Sequence, residues 1–347
     1  MSARLLVSAL LAVVALGAAG GAAAASPAIV SGEGTRTVVR ALDGTILRTF
    51  KPLEFPSLGT RLLAGGRGNR IVALDAVTGT KRFEIRDAFG PVVLPGRRVV
   101  FLGDRLGHRD PQVNSVWIRT SGGAIRKLVQ FANGPGLPGV QTGLDASIVL
   151  GVASDSAGRK LAIVQGNDVD LFHYDIWVVD TGTKARFRAT SGGRSRFATL
   201  DPAGARLAYL REEAFCGGPE PGYRAGDVLI EEARKGAAPT TLLDGDCDAF
   251  YTELAWLSAT ELVATRVTRT APDTFRTDLV SIDVATSAVT VLAGSGDVFA
   301  LSVSPTLRLV AFMRGAGGAD VLDIDTMTTR QLANAFAPQV SRDGTWP

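Results

Sequence analysis

The strongest constraint on this chain is a repeat, in which two strand-forming units alternate along the sequence at ~40–50 residues per pair. One unit is a short strand, a turn carrying Gly, Pro or Ser, and a second β-rich strand. It appears as SLGTRLLAG (57–65), LPGRRVVFL (94–102), SDSAGRKLAIV (154–164), DPAGARLAYL (201–210), LSATELVATR (257–266) and SPTLRLVAFM (304–313), with a partial copy, SRDGTWP, at 341–347. The other unit is an apolar strand, a tight turn and another strand. Examples are RIVALDAVTGTKRFEIR (70–86), VWIRTSGGAIRKLVQF (116–131), IWVVDTGTKARFRAT (176–190), DLVSIDVATSAVTVLAG (278–294) and DVLDIDTMTTRQLAN (320–334). Val, Ile and Leu alternating with polar residues give the period of two expected of strands. Thr-Gly and Gly-Gly at the turns are expected to supply the positive φ that tight hairpins need.

Joined, the two units make strands A, B, C and D of one antiparallel sheet. The repeat therefore predicts an all-β, single-domain β-propeller of seven four-stranded blades, with six or eight as the alternatives. The last copy stops after its A–B turn. The segments AIVSG (28–32), TRTVVRAL (35–42) and TILRTF (45–50), with Asp43-Gly44 at the hairpin, offer the three strands it lacks. The two ends are thus expected to share one blade and close the ring, leaving fewer open sheet edges and a complete chain.

Ahead of the repeat, residues 1–25 combine Arg4, an apolar run from Leu5 to Leu16 and the small residues Ala23-Ala24-Ala25. This is the pattern of a cleaved signal peptide, and the run is too short for a membrane span. The expectation is a propeller domain at 26–347, secreted or held in the periplasm or cell envelope, with no membrane span in the mature chain. The mature chain holds 36 basic and 34 acidic residues, interspersed. It shows no basic stripe of the kind a nucleic-acid partner requires. In an exported chain the pair Cys216 and Cys247 predicts a disulfide, joining a B–C loop to the following D–A connection.

DPAGARLAYL and SRDGTW resemble the "SPDG-x-x-(I/L)-A-(F/Y)" unit of TolB-type, WD-repeat-like propellers of bacterial envelopes. RIVALDAVTGTKRFE is similar to the repeat of quinoprotein-type propellers, departing from it at Phe83, where that repeat carries a docking Trp. The resemblance covers nearly all of the mature chain, and it implies a fold and an envelope setting. Quinoprotein-like redox chemistry is the function this sequence favours least.

The chemistry-bearing motifs are sparse: no G-x-S-x-G, H-E-x-x-H, P-loop or C-x-x-C occurs. Asp244, Asp246 and Asp248 have the alternate spacing of a calcium loop, which makes Ca²⁺ the one cofactor the sequence suggests. Ala249 and Ala255 stand where such a loop has its Gly and its closing acid. Most of the long insertions, at 103–115, 132–147, 165–175, 211–226 and 266–278, fall in B–C or D–A connections. In a propeller these emerge on one face, which is therefore the expected working face. On it lie His108, Asp168, Asp170, His173, Asp175, Glu212, Glu213 and Glu220. The sequence favours a monomeric, non-catalytic recognition or scaffold protein binding another envelope or extracellular protein there. The alternative is a hydrolase or lyase acting on a sugar or ester with acidic loop residues at the channel mouth. Trp117, Trp177, Trp256 and Trp346 are expected to pack between blades.

Overall fold

The computed structural model describes residues 27–103, 114–131, 147–167, 174–217, 223–272, 274–293, 298–315, 318–333 and 335–341. They form seven four-stranded antiparallel sheets and, among the described residues, no α-helix. Blade 2 shows the plan: strand A is Glu54–Leu58, B is Leu62–Arg67, C is Arg70–Asp75 and D is Lys81–Arg86. Successive side chains along these strands face opposite neighbours. Leu62, Ala64, Ile71 and Ala73 pack with Val93, Val99 and Phe101 of blade 3. Leu63, Val72 and Leu74 pack with Val30 and Val39 of blade 1. Both faces of each blade are covered, so RIVALD reads as a nearly unbroken apolar run. The core is accordingly seven apolar layers between blades rather than one centre.

The A strands of the other blades are Ala88–Leu94, Ser147–Ser154, Ser195–Leu200, Ala249–Trp256, Val298–Ser304 and Ala335–Val340. Each touches the next, and the last touches that of blade 2, so the A strands line the axis. Blade 1 is built as expected from both ends. Ala335–Val340 pairs with Pro27–Glu33, followed by Arg36–Ala41 and Ile46–Phe50. The register sets Ile29 against Val340 and Gly32 against Phe336, and the Ser341 amide donates to Ala28 O at 2.8 Å.

The C–D turns are fixed by an aspartate at the end of strand C. Asp75 Oδ1 accepts from the Val77 and Thr78 amides at 3.1 and 2.8 Å, and Asp180, Asp283 and Asp323 repeat the pattern. Gly79 and Gly123 take the positive φ expected of them, but in the turn at 181–185 Lys184, not Gly182, does so. The Asp180 cap holds that turn strongly enough to impose the left-handed conformation on a lysine.

Two of the expected loops are instead strands. Strand B of blade 5 runs over Arg206–Gly217 and pairs with Tyr223–Glu232 out to Gly217–Tyr223. Strand B of blade 6, Glu261–Ala271, pairs with Thr274–Asp283 out to Ala271–Thr274. Both hairpins project from the face carrying the B–C and D–A connections. Cys216 therefore lies in a strand rather than a loop. The chain stays extended there because cross-strand pairs such as Arg211 and Asp227, 2.9 Å apart, continue the ladder beyond the core.

Candidate functional site

The A strands do not run straight along the axis. In blades 2, 3, 5, 7 and 1 each carries a two-residue bulge, at Phe55-Pro56, Gly90-Pro91, Phe197-Ala198, Ala300-Leu301 and Ala337-Pro338. The first residue of every one has positive φ, between 45° and 57°. Blades 4 and 6 insert one residue instead, Leu150 and Thr252. Positive φ on a phenylalanine costs on the order of 1–3 kcal/mol and needs support from its surroundings. Neighbouring blades supply it. Glu253 of blade 6 accepts from the Ala300 and Leu301 amides at 3.0 and 2.9 Å, and Thr265 Oγ1 donates to it at 3.3 Å. Beyond the bulges, Ser57 Oγ accepts from Val93 N at 3.0 Å and Ser302 Oγ from Val340 N at 3.1 Å. Burial raises the Glu253 pKa, against the lowering effect of those amide bonds.

The result is a ring of apolar side chains presented to solvent. Phe55, Leu150, Phe197, Phe299 and Phe336 are 38–79% exposed and lie at or beside the bulges, toward the ends where the A strands enter. That end is the mouth on the face of the two projecting hairpins. Bulges at the rim of a closed sheet commonly re-aim side chains in this way.

A cavity of about 400 Å³ follows the A strands of blades 4 to 7, from Leu150 and Phe197 near the mouth to Pro202 and Pro305 in the A–B turns of the other face. Leu150, Val152, Phe197, Leu254, Trp256 and Leu301 contribute to its mainly apolar wall. Its charged lining residues, Asp155 and Arg196, are both engaged. Asp155 Oδ1 accepts from the Arg159 amide at 2.7 Å, and Arg196 is paired with the buried Glu212.

Glu212 is therefore turned into the blade and away from the outer surface. Asp175 also faces inward, paired with Arg188 and accepting from Gly192 N at 3.2 Å, which fixes the connection to blade 5. Glu213 lies in strand B of blade 5. His108, Asp168, Asp170, His173, Glu220 and Trp346 lie outside the described residues. Asp246 caps its own turn, accepting from the Asp248 and Ala249 amides at 2.9 and 2.8 Å, and these bonds lower its pKa. Asp248 lies 3.9 Å from Arg269, and Asp244 is exposed. Among the described residues no three His, Cys, Asp or Glu side chains form a metal-binding group.

The 244–248 segment is bonded to the blade 5 hairpin by the Cys216–Cys247 disulfide, with Cα atoms 5.1 Å apart. Phe250 and Phe275 meet edge-on at 6.2 Å beside it, and Arg269 of the blade 6 hairpin donates to Cys216 O at 3.0 Å. Cys216, Ala225, Phe250 and Val267 form a small apolar cluster beneath. The disulfide, with the Arg269 bonds to Cys216 O and Asp248 O, thus ties the two hairpins into one raised rim beside the mouth. The cysteine pair is plain in the sequence, whereas the apolar ring is not. Its signal is faint but present: Phe in EFP (54–56), RFA (196–198), VFA (298–300) and AFAP (335–338).

No protein-family model matches the sequence, and no curated protein matches it significantly. Solved structures do share the fold. The tricorn protease is 13% identical with a TM-score of 0.65, over 91% of this chain and 34% of that one. An oligogalacturonate lyase in complex with manganese is 14% identical with a TM-score of 0.61, covering 89% and 85%. TolB from Acinetobacter baumannii is 13% identical with a TM-score of 0.51, covering 92% and 67%. The chain spans about a third of the tricorn protease's length. At such identities the likeness is one of fold, and it takes in both enzymes and TolB.

Proposed function

We propose that this chain is an exported recognition propeller, related in kind to TolB-type envelope propellers, that holds a protein partner against the mouth of its axial channel. The observation that carries this reading is the ring of Phe55, Leu150, Phe197, Phe299 and Phe336, exposed at or beside the bulges around that mouth. An exposed apolar ring bordered by polar hairpins matches the make-up of a protein interface, an apolar centre with a polar rim. Positive φ at Phe55, Phe197, Ala300 and Ala337 is better accounted for by use than by packing, because it turns apolar groups away from the core. The hydrolase or lyase alternative needs carboxylates converging on the channel. Asp155, the acid of the cavity lining, holds a turn, Glu212 is paired with Arg196, and Glu253 beside the wall accepts from the Ala300 and Leu301 amides instead.

Export is part of the same proposal, with residues 1–25 removed and 26–347 forming the mature domain. It is supported by the disulfide, and no helix among the described residues is long and apolar enough to cross a membrane. Intact-mass measurement of protein recovered outside the cytoplasm should give an N-terminus near Ser26.

The partner site is tested by placing a photo-crosslinking residue at Phe55, Phe197 or Phe299, and at Val291 on an outer strand as control. In the native envelope or culture fluid the ring positions should each trap the same protein, and Val291 should not. Adding excess uncrosslinked protein should compete the adduct away, and adding its Phe55→Ser, Phe197→Ser double variant should not. Absence of an adduct from all three ring positions, or equal competition by the double variant, overturns the reading.

A further inference from the structure

The opposite face, where the short A–B and C–D turns emerge, carries a second feature. Three D strands place an arginine at the same position: Arg48 in blade 1, Arg126 in blade 3 and Arg330 in blade 7. Each lies opposite the residue two before the one that opens the C–D turn, namely Val39, Ile118 and Val321. All three reach across to the C–D turn of the next blade. Arg48 donates to Val77 O at 2.8 Å, Arg126 to Thr181 O and Gly182 O, and Arg330 to Leu42 O. These arginines latch one blade to the next.

In blade 2 that position, opposite Ala73, is Phe83, so the latch to blade 3 is missing. The guanidinium of Arg119, from the end of strand C in blade 3, lies over the Phe83 ring at 3.7 Å instead. A cleft of about 190 Å³ opens at this seam, lined by Arg61, Asp75, Arg82, Phe83, Arg97 and Arg119, among others. Four guanidiniums thus face a single carboxylate, giving the cleft a net charge of +3. Asp75 is buried and already engaged, by Arg82 at 2.7 Å, by Arg61 at 3.6 Å and by its own turn amides. Arg119 has one long hydrogen bond, to Thr120 O at 3.3 Å. Neither Arg119 nor Arg97 has a carboxylate partner among the described residues. Arg97 sits in the A–B turn of blade 3 at a φ of 59° and lines the same cleft as Arg61 and Arg82 of blade 2.

We propose that this cleft is an oxyanion site, taking the carboxylate, sulfate or phosphate group of a ligand between Arg97 and Arg119. A guanidinium offers paired N–H donors in one plane, which match two oxygens of such a group. Stacking on Phe83 orients the plane of Arg119 and covers one of its faces, leaving its edge for the anion. Like charges held close in a partly enclosed cleft raise the local anion concentration and are stabilised by the ligand they bind. The proposal is independent of the partner site, which lies on the other face.

Isothermal titration with sodium phosphate, sulfate and acetate, each at constant ionic strength set with chloride, tests it. At least one anion should bind the intact protein saturably at one site per chain, and which one binds identifies the head group. Arg97→Gln and Arg119→Gln should each weaken that binding tenfold or more. Arg126→Gln, which removes a latch on the same face, should change it less than twofold. Arg97 is exposed on a turn, so its variant tests the site without risk to folding. No saturable binding of any of the three anions, or equal binding by the Arg97→Gln, Arg119→Gln double variant, overturns the proposal.

Discussion

Glu231 illustrates how a single residue departs from the pattern around it. Two before the end of strand C stands Ile230, and the next position, held by Leu74, Val179, Ile282 and Leu322 in blades 2, 4, 6 and 7, is Glu231 in blade 5. It is 5% exposed, on the strand face that also carries Leu229. Burial raises its pKa from 4.5 to about 7, and its charge adds to the burial that pushes Tyr209 up. The folded state then holds a proton that the unfolded chain releases between about pH 4.5 and 7. Stability from this group is fully present at the acid end of that window and falls as the pH rises through it. The loss is on the order of 3–4 kcal/mol at most, because each tenfold change in proton affinity is worth roughly 1.4 kcal/mol. Glu231→Leu should therefore raise Tm at pH 8 and leave it nearly unchanged at pH 4.5, and Glu231→Gln should flatten the same stretch of the profile. Thermal unfolding across pH 4–8 checks both. A wild-type Tm that rises steadily from pH 4.5 to 7 with no difference from the variants removes this account of Glu231.

Among the elements, the two hairpins of blades 5 and 6 extend beyond the core and depend on local ties. The disulfide closes a sequence separation of 31 residues. In the chain-entropy model, removing it should lower global stability by about 3–4 kcal/mol. Paired Cys216→Ser, Cys247→Ser substitution should shift the urea midpoint downward. It should also raise hydrogen exchange in 206–232 and 244–250 before the rest of the molecule, because few buried apolar groups besides Phe250 and Val267 anchor that rim. Uniform exchange in the variant would mean that the bridge does not hold the rim. Alternating polar and β-branched residues at 266–278 do signal strand, yet the same stretch also reads as a long insertion. Its extended pairing was decided by the facing strand, which one segment of sequence does not display.

At the scale of the molecule, closure rests on Ala335–Val340, the one strand that joins the two ends of the chain. Deleting 335–347 exposes the edge of Pro27–Glu33 and uncovers the apolar layer containing Ala28, Ile29, Leu309 and Met313. The melting temperature should fall sharply, and the deleted protein should associate through its open edge, seen as concentration-dependent size by light scattering. An unchanged Tm with a monomeric product would show that the ring does not need this strand.

The all-β class, the seven-fold repeat, the shared terminal blade and the cysteine pair were legible because each depends on local signals: period-two apolar alternation, Asp and Gly at the turns, and complementary strand remnants. The strands RIVALD and RLAYL bury both faces, and an apolar run records that burial whatever lies opposite. The candidate binding surfaces were not legible in the same way. Acids such as Glu212 and Asp175 looked solvent-facing along the sequence, but folding set Arg196 and Arg188 against them. Phe55 and Phe197 stand in strand-forming segments, and only the bulges that arise where A strands meet around the axis turned them outward. The arginine cleft exists because Phe83 and Arg119, 36 residues apart, meet across a blade seam. Exposure, pairing and cavity shape depend on which segments face one another, and in a ring of blades that is settled by closure of the whole chain.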